Sequence, residues 1–191
     1  QTLSYRGLDP GFYRYHPDDR THYVDDSGCG NSVNVYKAHV LRMVMDSMRH
    51  WVTHYHIDGF RFDLAVSLAR EEWDFSRSST FFKVISQDPV LHDIKLIAEP
   101  WDMGRNGYQL GQFPEEWYEI NDKFRDSVRA FWLTDSADLA DFATRIMGSR
   151  ELFRKGVQEI SASLNMITCH DGFTLEDLVS YQQKHNQLNQ E

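Results

Sequence analysis

The chain has 191 residues, 41% hydrophobic and 14% aromatic, which is enough apolar material for one domain with a packed core. Acidic residues outnumber basic ones by 29 to 20, giving a formal charge of -9. Nucleic acid is disfavoured as a partner, because phosphate binding needs clustered Lys and Arg, whereas a neutral ligand such as a sugar is compatible. No apolar run approaches the roughly 20 residues of a membrane helix, and no membrane partner is expected.

Residues 1–8 have neither the basic start nor the apolar stretch of a secretory signal. The expected location is the cytoplasm, or a plastid for a plant protein. Cys29 and Cys169 lie far apart, and two free thiols are favoured over a disulfide. The first residue is Gln, so the chain is expected to begin inside a longer protein or to have been trimmed.

Residues 1–33 read as irregular, with turn signals at Asp9-Pro10-Gly11 and Asp25-Asp26-Ser27-Gly28. Leu41, Val44, Met45, Met48, Trp51, Val52 and Tyr55 then recur at helical spacing, with Asn34 as the expected N-cap. Phe60 to Asp63 has period two and predicts a strand with Arg61 and Asp63 on one face. A helix is predicted from Ser79 to Ile85. Ile94 to Ala98 is a nearly continuous apolar run ending at Glu99, as in a parallel strand buried on both faces. A weaker strand lies around Tyr118 to Ile120. Phe124, Val128, Phe131 and Trp132 mark one helix, and Leu139, Phe142, Ile146 and Met147 another. A last strand is predicted over Leu164 to Thr168, running into Cys169-His170-Asp171. Such alternation implies βαβ units and a mostly parallel sheet.

Three acids fall at predicted strand ends: Asp63, Glu99 and Asp171. The separation of the second pair is twice that of the first, matching one βα unit and then two. In a (β/α)8 barrel all strands point their carboxyl ends to one mouth, so the three acids could converge there. In an open doubly wound sheet they could meet only near a switch point, and the barrel is the simpler reading. Two carboxyl groups, one protonated and one ionised, are what glycosidic hydrolysis requires, at about 5–5.5 Å in retaining enzymes. Arg61 would keep Asp63 ionised. Glu99, between Ala98 and Pro100-Trp101, has the less polar setting of a general acid. Trp101 offers a ring face to a sugar. Any one such acid is ordinarily a helix cap or a surface charge; their joint spacing, with Arg61 and His170 adjacent, favours a site.

Other features read as structural. His50, His54 and His56 sit where the first helix closes, at the end favourable to His, and no metal site is assigned to them. The Asp25 to Asn31 segment lacks a calcium-loop pattern. Tyr5, Tyr13, Tyr15, Tyr23 and Tyr36 could be glucan platforms, with packing preferred for most.

Gly59-Phe60-Arg61-Phe62-Asp63 resembles the fourth-strand signature of the α-amylase family, glycoside hydrolase family 13. Ala98-Glu99-Pro100-Trp101-Asp102 is similar to the fifth-strand motif of its debranching branch. His170-Asp171-Gly172-Phe173-Thr174-Leu175, with Asp177 to Tyr181 and Lys184-His185-Asn186, resembles the seventh-strand region of isoamylases and glycogen debranching enzymes. Gly28 to Asn31, Gln87 to Leu91 and Asn121 to Asp126 agree as well.

The resemblance implies an α/β chain forming a partial (β/α)8 barrel of roughly strands 4 to 7. The first strands and the last, and the family's upstream Asn-His pair, are absent. Residues 1–191 would then be one partial catalytic domain. The resemblance further implies retaining hydrolysis of α-1,6 branch linkages in a glycogen- or amylopectin-type glucan, with no organic cofactor. Asp63 would be the nucleophile, Glu99 the acid/base and Asp171 a transition-state stabiliser. Arg61 and His170 would contact Asp63 and the sugar. Alternatives are an α-1,4-acting or transferase relative, and a weak or inactive glucan-binding fragment. Unpaired barrel edges would favour self-association.

Overall fold

The computed structural model describes residues 4–135, 137–153, 160–183, 185 and 187–189. The first described segment contains two short 3-10 turns, Ser4–Gly7 and Pro10–Phe12. Asp9 caps the second by accepting the Gly11 N–H at 2.8 Å. Isolated bridges Tyr13↔Val33 and Tyr15↔Tyr23 fold the segment back on itself. The Asp25 turn closes locally, Asp25 accepting from Ser27 and from the Gly30 N–H.

Helix α1 spans Ala38–Tyr55 and buries Val40, Leu41, Met45 and Met48. Asn34 is not its cap. Asn34 lies in a preceding turn, its carbonyl accepting the Lys37 N–H at 3.1 Å. Lys37 holds the cap position without a side-chain bond. At the other end His56 takes a left-handed conformation (φ 56°) and donates its N–H to the Val52 carbonyl. The His50 and His54 rings, on the last turns of α1, lie with centroids 4.6 Å apart and tilted by 31°.

Strand β1 is Gly59–Phe62. A hairpin of β2 (Arg70–Glu71) and β3 (Asp74–Phe75) follows, which no periodicity announced. Helix α2, Thr80–Ser86, is capped by Ser79. Strand β4 is Lys95–Ala98 and β5 is Trp117–Ile120. Helices α3 (Asp122–Leu133), α4 (Leu139–Ile146) and α5 (Arg150–Phe153) precede β6 (Ser163–Leu164), and α6 covers Leu175–Ser180.

Strands β1, β4, β5 and β6 form one parallel sheet in that order. Along this sheet each strand therefore lies beside the one that precedes or follows it in the chain order of the sheet's strands. The strands are short. In β4 Leu96 and Ala98 are buried, Ile97 only partly so and Lys95 is exposed, so burial on both faces is incomplete. Gly59 lets β1 approach β4 closely; a Cβ there would overlap the Lys95 carbonyl.

The predicted strand over Leu164 to Thr168 stops at Leu164. Its partner β5 ends at Ile120, because Asn121 leaves the ladder to cap α3, accepting the Phe124 N–H at 2.9 Å. The last ladder bond is Asn121 N–H to the Leu164 carbonyl. The following segment runs as a loop, held where Arg129 donates to the Ile167 carbonyl.

The main core lies under α1 and α2, where Phe81, Phe82, Ile85, Leu91, Phe113 and Trp117 pack against Leu96 and Ala98. Asp88, nearly inaccessible, ties the loop after α2 to α1 by accepting from Arg49 Nε at 2.7 Å. Among the described residues no helix is long and apolar enough to cross a membrane. Cys29 and Cys169 are free thiols.

Candidate active site

The site is built from the ends of β1 and β4. Their register pairs Phe62 with Ala98, so the next residues, Asp63 and Glu99, leave the sheet side by side. The Glu99 N–H donates to the Phe62 carbonyl at 3.0 Å, and the Ala65 N–H donates back to the Glu99 carbonyl at 3.0 Å. Between them Leu64 adopts φ 43°, a strained left-handed conformation for a non-glycine residue. That turn aims the Leu64 N–H at Glu99 Oε2, 2.9 Å away.

One guanidinium serves both acids. Arg61 Nη1 donates to Asp63 Oδ1 at 2.8 Å, and Nη2 lies 3.3 Å from Glu99 Oε2. Each carboxyl group also acts on the titration of the other. Their environments separate them. Glu99 is buried, and desolvation, joined by the Asp63 charge, pushes its pKa up, against the opposing pull of the Leu64 N–H and Arg61. Desolvation also acts on Asp63, but its carboxyl is largely open to water. The interaction with Glu99, Arg61 and the His170 charge outweigh desolvation there and hold it below the usual carboxylate range. One proton on Glu99 and none on Asp63 is the favoured state of the pair.

A cavity of about 690 Å³ opens beside the pair. Its lining includes Arg61, Glu99, Trp101, Tyr108, His170 and Asp171. That volume falls within the usual range of small-ligand sites. His170 and Asp171 come from the loop after β6, not from a strand end, and pair with each other at 3.3 Å. Both are exposed. The structure brings Asp171 to the cavity, outside the Arg61–Asp63–Glu99 hydrogen-bond cluster. Trp101 lies on the loop after β4, nearly parallel to the Tyr108 ring with centroids 6.4 Å apart.

Sequence reasoning assigned no role to Tyr108, Asp122 or Arg125, although Asp122 and Arg125 lie in a stretch singled out by resemblance. The Tyr108 hydroxyl donates to Asp122 Oδ1 at 2.7 Å. Burial, and then that carboxylate, raise the phenol's pKa. Lys184 and Asn186 lie outside the described residues.

Two buried carboxylates fix the loop that carries Trp101 and Tyr108. Glu119, inaccessible on β5, accepts the N–H groups of Gly111 (2.6 Å) and Phe113 (3.2 Å). Asp102 accepts both Nε (2.8 Å) and Nη2 (2.6 Å) of Arg70, and the Gly104 N–H. The Arg70 side chain is 1% exposed and that of Asp102 is 0%. Arg14 and Asp26, paired at 3.2 Å, extend this network to the first segment of the chain.

No family model matches the chain. It is 51% identical over 191 residues to the glycogen operon protein GlgX homolog of Mycobacterium tuberculosis, covering all of this chain and 26% of that protein. It is 48% identical over 191 residues to the glycogen debranching enzyme of Serratia proteamaculans, covering 28% of it. The chain thus spans little more than a quarter of these relatives. Among solved structures it is similar to the pullulanase from Bacillus acidopullulyticus, with TM-score 0.68 and 26% identity over 88% of this chain and 21% of that one. It is also similar to the pullulanase from Paenibacillus barengoltzii complexed with maltohexaose and alpha-cyclodextrin, with TM-score 0.67 and 25% identity over 94% of this chain and 30% of that one. Along its whole length, then, the chain is similar to one segment of the bacterial glycogen debranching proteins, and its α/β fold with a parallel sheet resembles the matching part of the pullulanases.

Proposed function

We propose that the chain forms the catalytic segment of a retaining glycoside hydrolase acting on α-1,6 branch linkages of a glycogen-type glucan. Residues 1–191 are then one partial domain, with the four parallel strands as strands 4 to 7 of a (β/α)8 barrel. Asp63 is the nucleophile and attacks the anomeric carbon. Glu99 gives its proton to the leaving oxygen and then takes one from water. Arg61 holds both acids, Trp101 stacks on sugar, and His170 and Asp171 receive hydroxyls of the ring being cleaved.

The observation that carries this reading is that one guanidinium spans two acids in unlike settings, Arg61 reaching the open Asp63 carboxylate at 2.8 Å and the buried Glu99 at 3.3 Å. Two acids bridged by a single guanidinium suit the retaining separation of about 5–5.5 Å better than the inverting one of about 6.5–9.5 Å, which must admit a water. The outer edges of β1 and β6 carry no partner strand among the described residues, which supports self-association of the isolated chain. Two free thiols suit a reducing compartment such as the cytoplasm.

The test is release of reducing ends by the full chain from amylopectin and from linear amylose. Turnover of the branched substrate, lost by roughly 10⁴-fold or more in Asp63→Asn, is the expected result. Preference for amylose would instead indicate an α-1,4-acting relative. Binding without turnover, unchanged in Asp63→Asn, would indicate a glucan-binding role.

A further inference from the structure

A second, smaller cleft is lined in part by Arg70, the partner of Asp102. It holds about 170 Å³, roughly the space of five or six waters and hence of one sugar ring. Its rim is Tyr15, Asn34, Tyr36, Ser67, Glu72 and Trp73. Tyr36 is 67% exposed and Trp73 43%.

Exposed aromatics standing singly are ordinary. Here the exposed indole is pinned by two buried cations. The Arg14 guanidinium lies over the Trp73 ring, 5.2 Å from its centroid, and also donates to the Glu72 carbonyl. Arg70 Nη1 donates to the Trp73 carbonyl at 2.6 Å. Glu72, at the tip of the β2–β3 turn, is held at φ 55°. Backbone strain of that kind persists only where surrounding contacts over-determine it, and it concentrates at ligand clamps. A rigid, wet aromatic face loses little entropy when a ligand stacks on it.

The charges narrow the ligand. Arg14 and Arg70 are already matched by Asp26 and Asp102, which leaves the Glu72 carboxylate and neutral amide and hydroxyl groups at the rim. An anion is disfavoured, and a neutral polyhydroxylated ring fits. The cleft and the catalytic cavity are joined through two elements rather than through a common lining residue. The 3-10 helix Ala65–Ala69 begins beside Asp63 and carries Ser67 to the cleft, and Arg70, at its floor, grips the residue after Trp101.

We propose that this cleft is a remote subsite for an α-glucan chain whose other end occupies the catalytic cavity, with Trp73 and Tyr36 as its stacking platform. The inference rests on the glucan reading of the main site. The experiment measures binding of maltose and of maltoheptaose to the full chain by calorimetry, for wild type, Trp73→Ala, Tyr36→Ala and Trp73→Phe. Expected is a roughly tenfold loss for maltoheptaose in each Ala variant, about one aromatic contact, with maltose unchanged and Trp73→Phe close to wild type. Unchanged maltoheptaose binding in both Ala variants overturns the subsite while leaving the main reading intact. Equal weakening of both sugars also overturns it, since that indicates general damage. Tyr36→Ala, at a mostly exposed position, decides the matter should Trp73→Ala fail to fold. Wild type that binds neither sugar overturns the glucan reading and this inference together.

Discussion

Asp102→Asn removes the negative charge from an ion pair that has almost no contact with water. In the native chain Asp102 takes two charge-assisted hydrogen bonds from Arg70, at 2.6 and 2.8 Å, and a third from the Gly104 N–H. The Asn side chain keeps one acceptor and turns an amide donor toward the guanidinium. Arg70, 1% exposed, then stays charged without its main counter-ion. Breaking a buried pair from one side costs about 3–5 kcal/mol. The carbonyls of Trp73 and Arg105 still accept from Arg70, and Asp26 Oδ2 remains 3.7 Å away, so the lower end, about 3 kcal/mol, applies. For a chain of this size that lowers the melting midpoint by roughly 6–12 °C. Urea unfolding followed by tryptophan fluorescence measures it. The control is Asp46→Asn, which breaks an exposed pair with Arg49 on α1 and costs at most about 0.5 kcal/mol. Equal, sub-kilocalorie losses in the two variants would refute the argument that this pair anchors the loop bearing Trp101.

Further outcomes concern the acids and the sheet. Hydrolysis is expected to have an acid limb below the usual Asp value and an alkaline limb above the usual Glu value, since Asp63 must be ionised and Glu99 protonated. Arg61 lowers both pKa values, so Arg61→Met moves both limbs to higher pH; limbs that stay fixed in a pH–rate profile exclude the shared guanidinium as their cause. For stability the two signs differ. The Asp63 contribution is present above its unfolded pKa and is lost as pH falls through the lowered folded value. That of Glu99 is present below its unfolded pKa and is lost as pH rises through the raised folded value. Gly59→Ala forces a Cβ against the Lys95 carbonyl and is expected to cost about 1–3 kcal/mol in the same urea assay; a neutral result would mean that β1 and β4 can separate without penalty.

Local pattern made much of the chain readable. Period two across Phe60 to Asp63 and the apolar run ending at Ala98 located β1 and β4, because alternation and apolar runs are what strands packed on a core require. Helical spacing located α1, α3 and α4. Features that depend on a partner in space were not readable. Asn34 looked like a cap, but a turn intervenes before α1. The strand toward Thr168 looked continuous, but β5 ends first, and a ladder cannot outlast its partner. The role of Asp102 rests on Arg70, a residue 32 positions away.

The sequence by itself determined which acids the chain carries, the βα rhythm that spaces them and the Arg two residues before Asp63 on the same strand face. Tertiary structure alone decided that Asp63 and Glu99 stand side by side on one guanidinium, through the Phe62↔Ala98 register, and that one meets water while the other is buried. Spacing along a chain sets which groups can meet. Register and desolvation set whether they do and which of them keeps the proton.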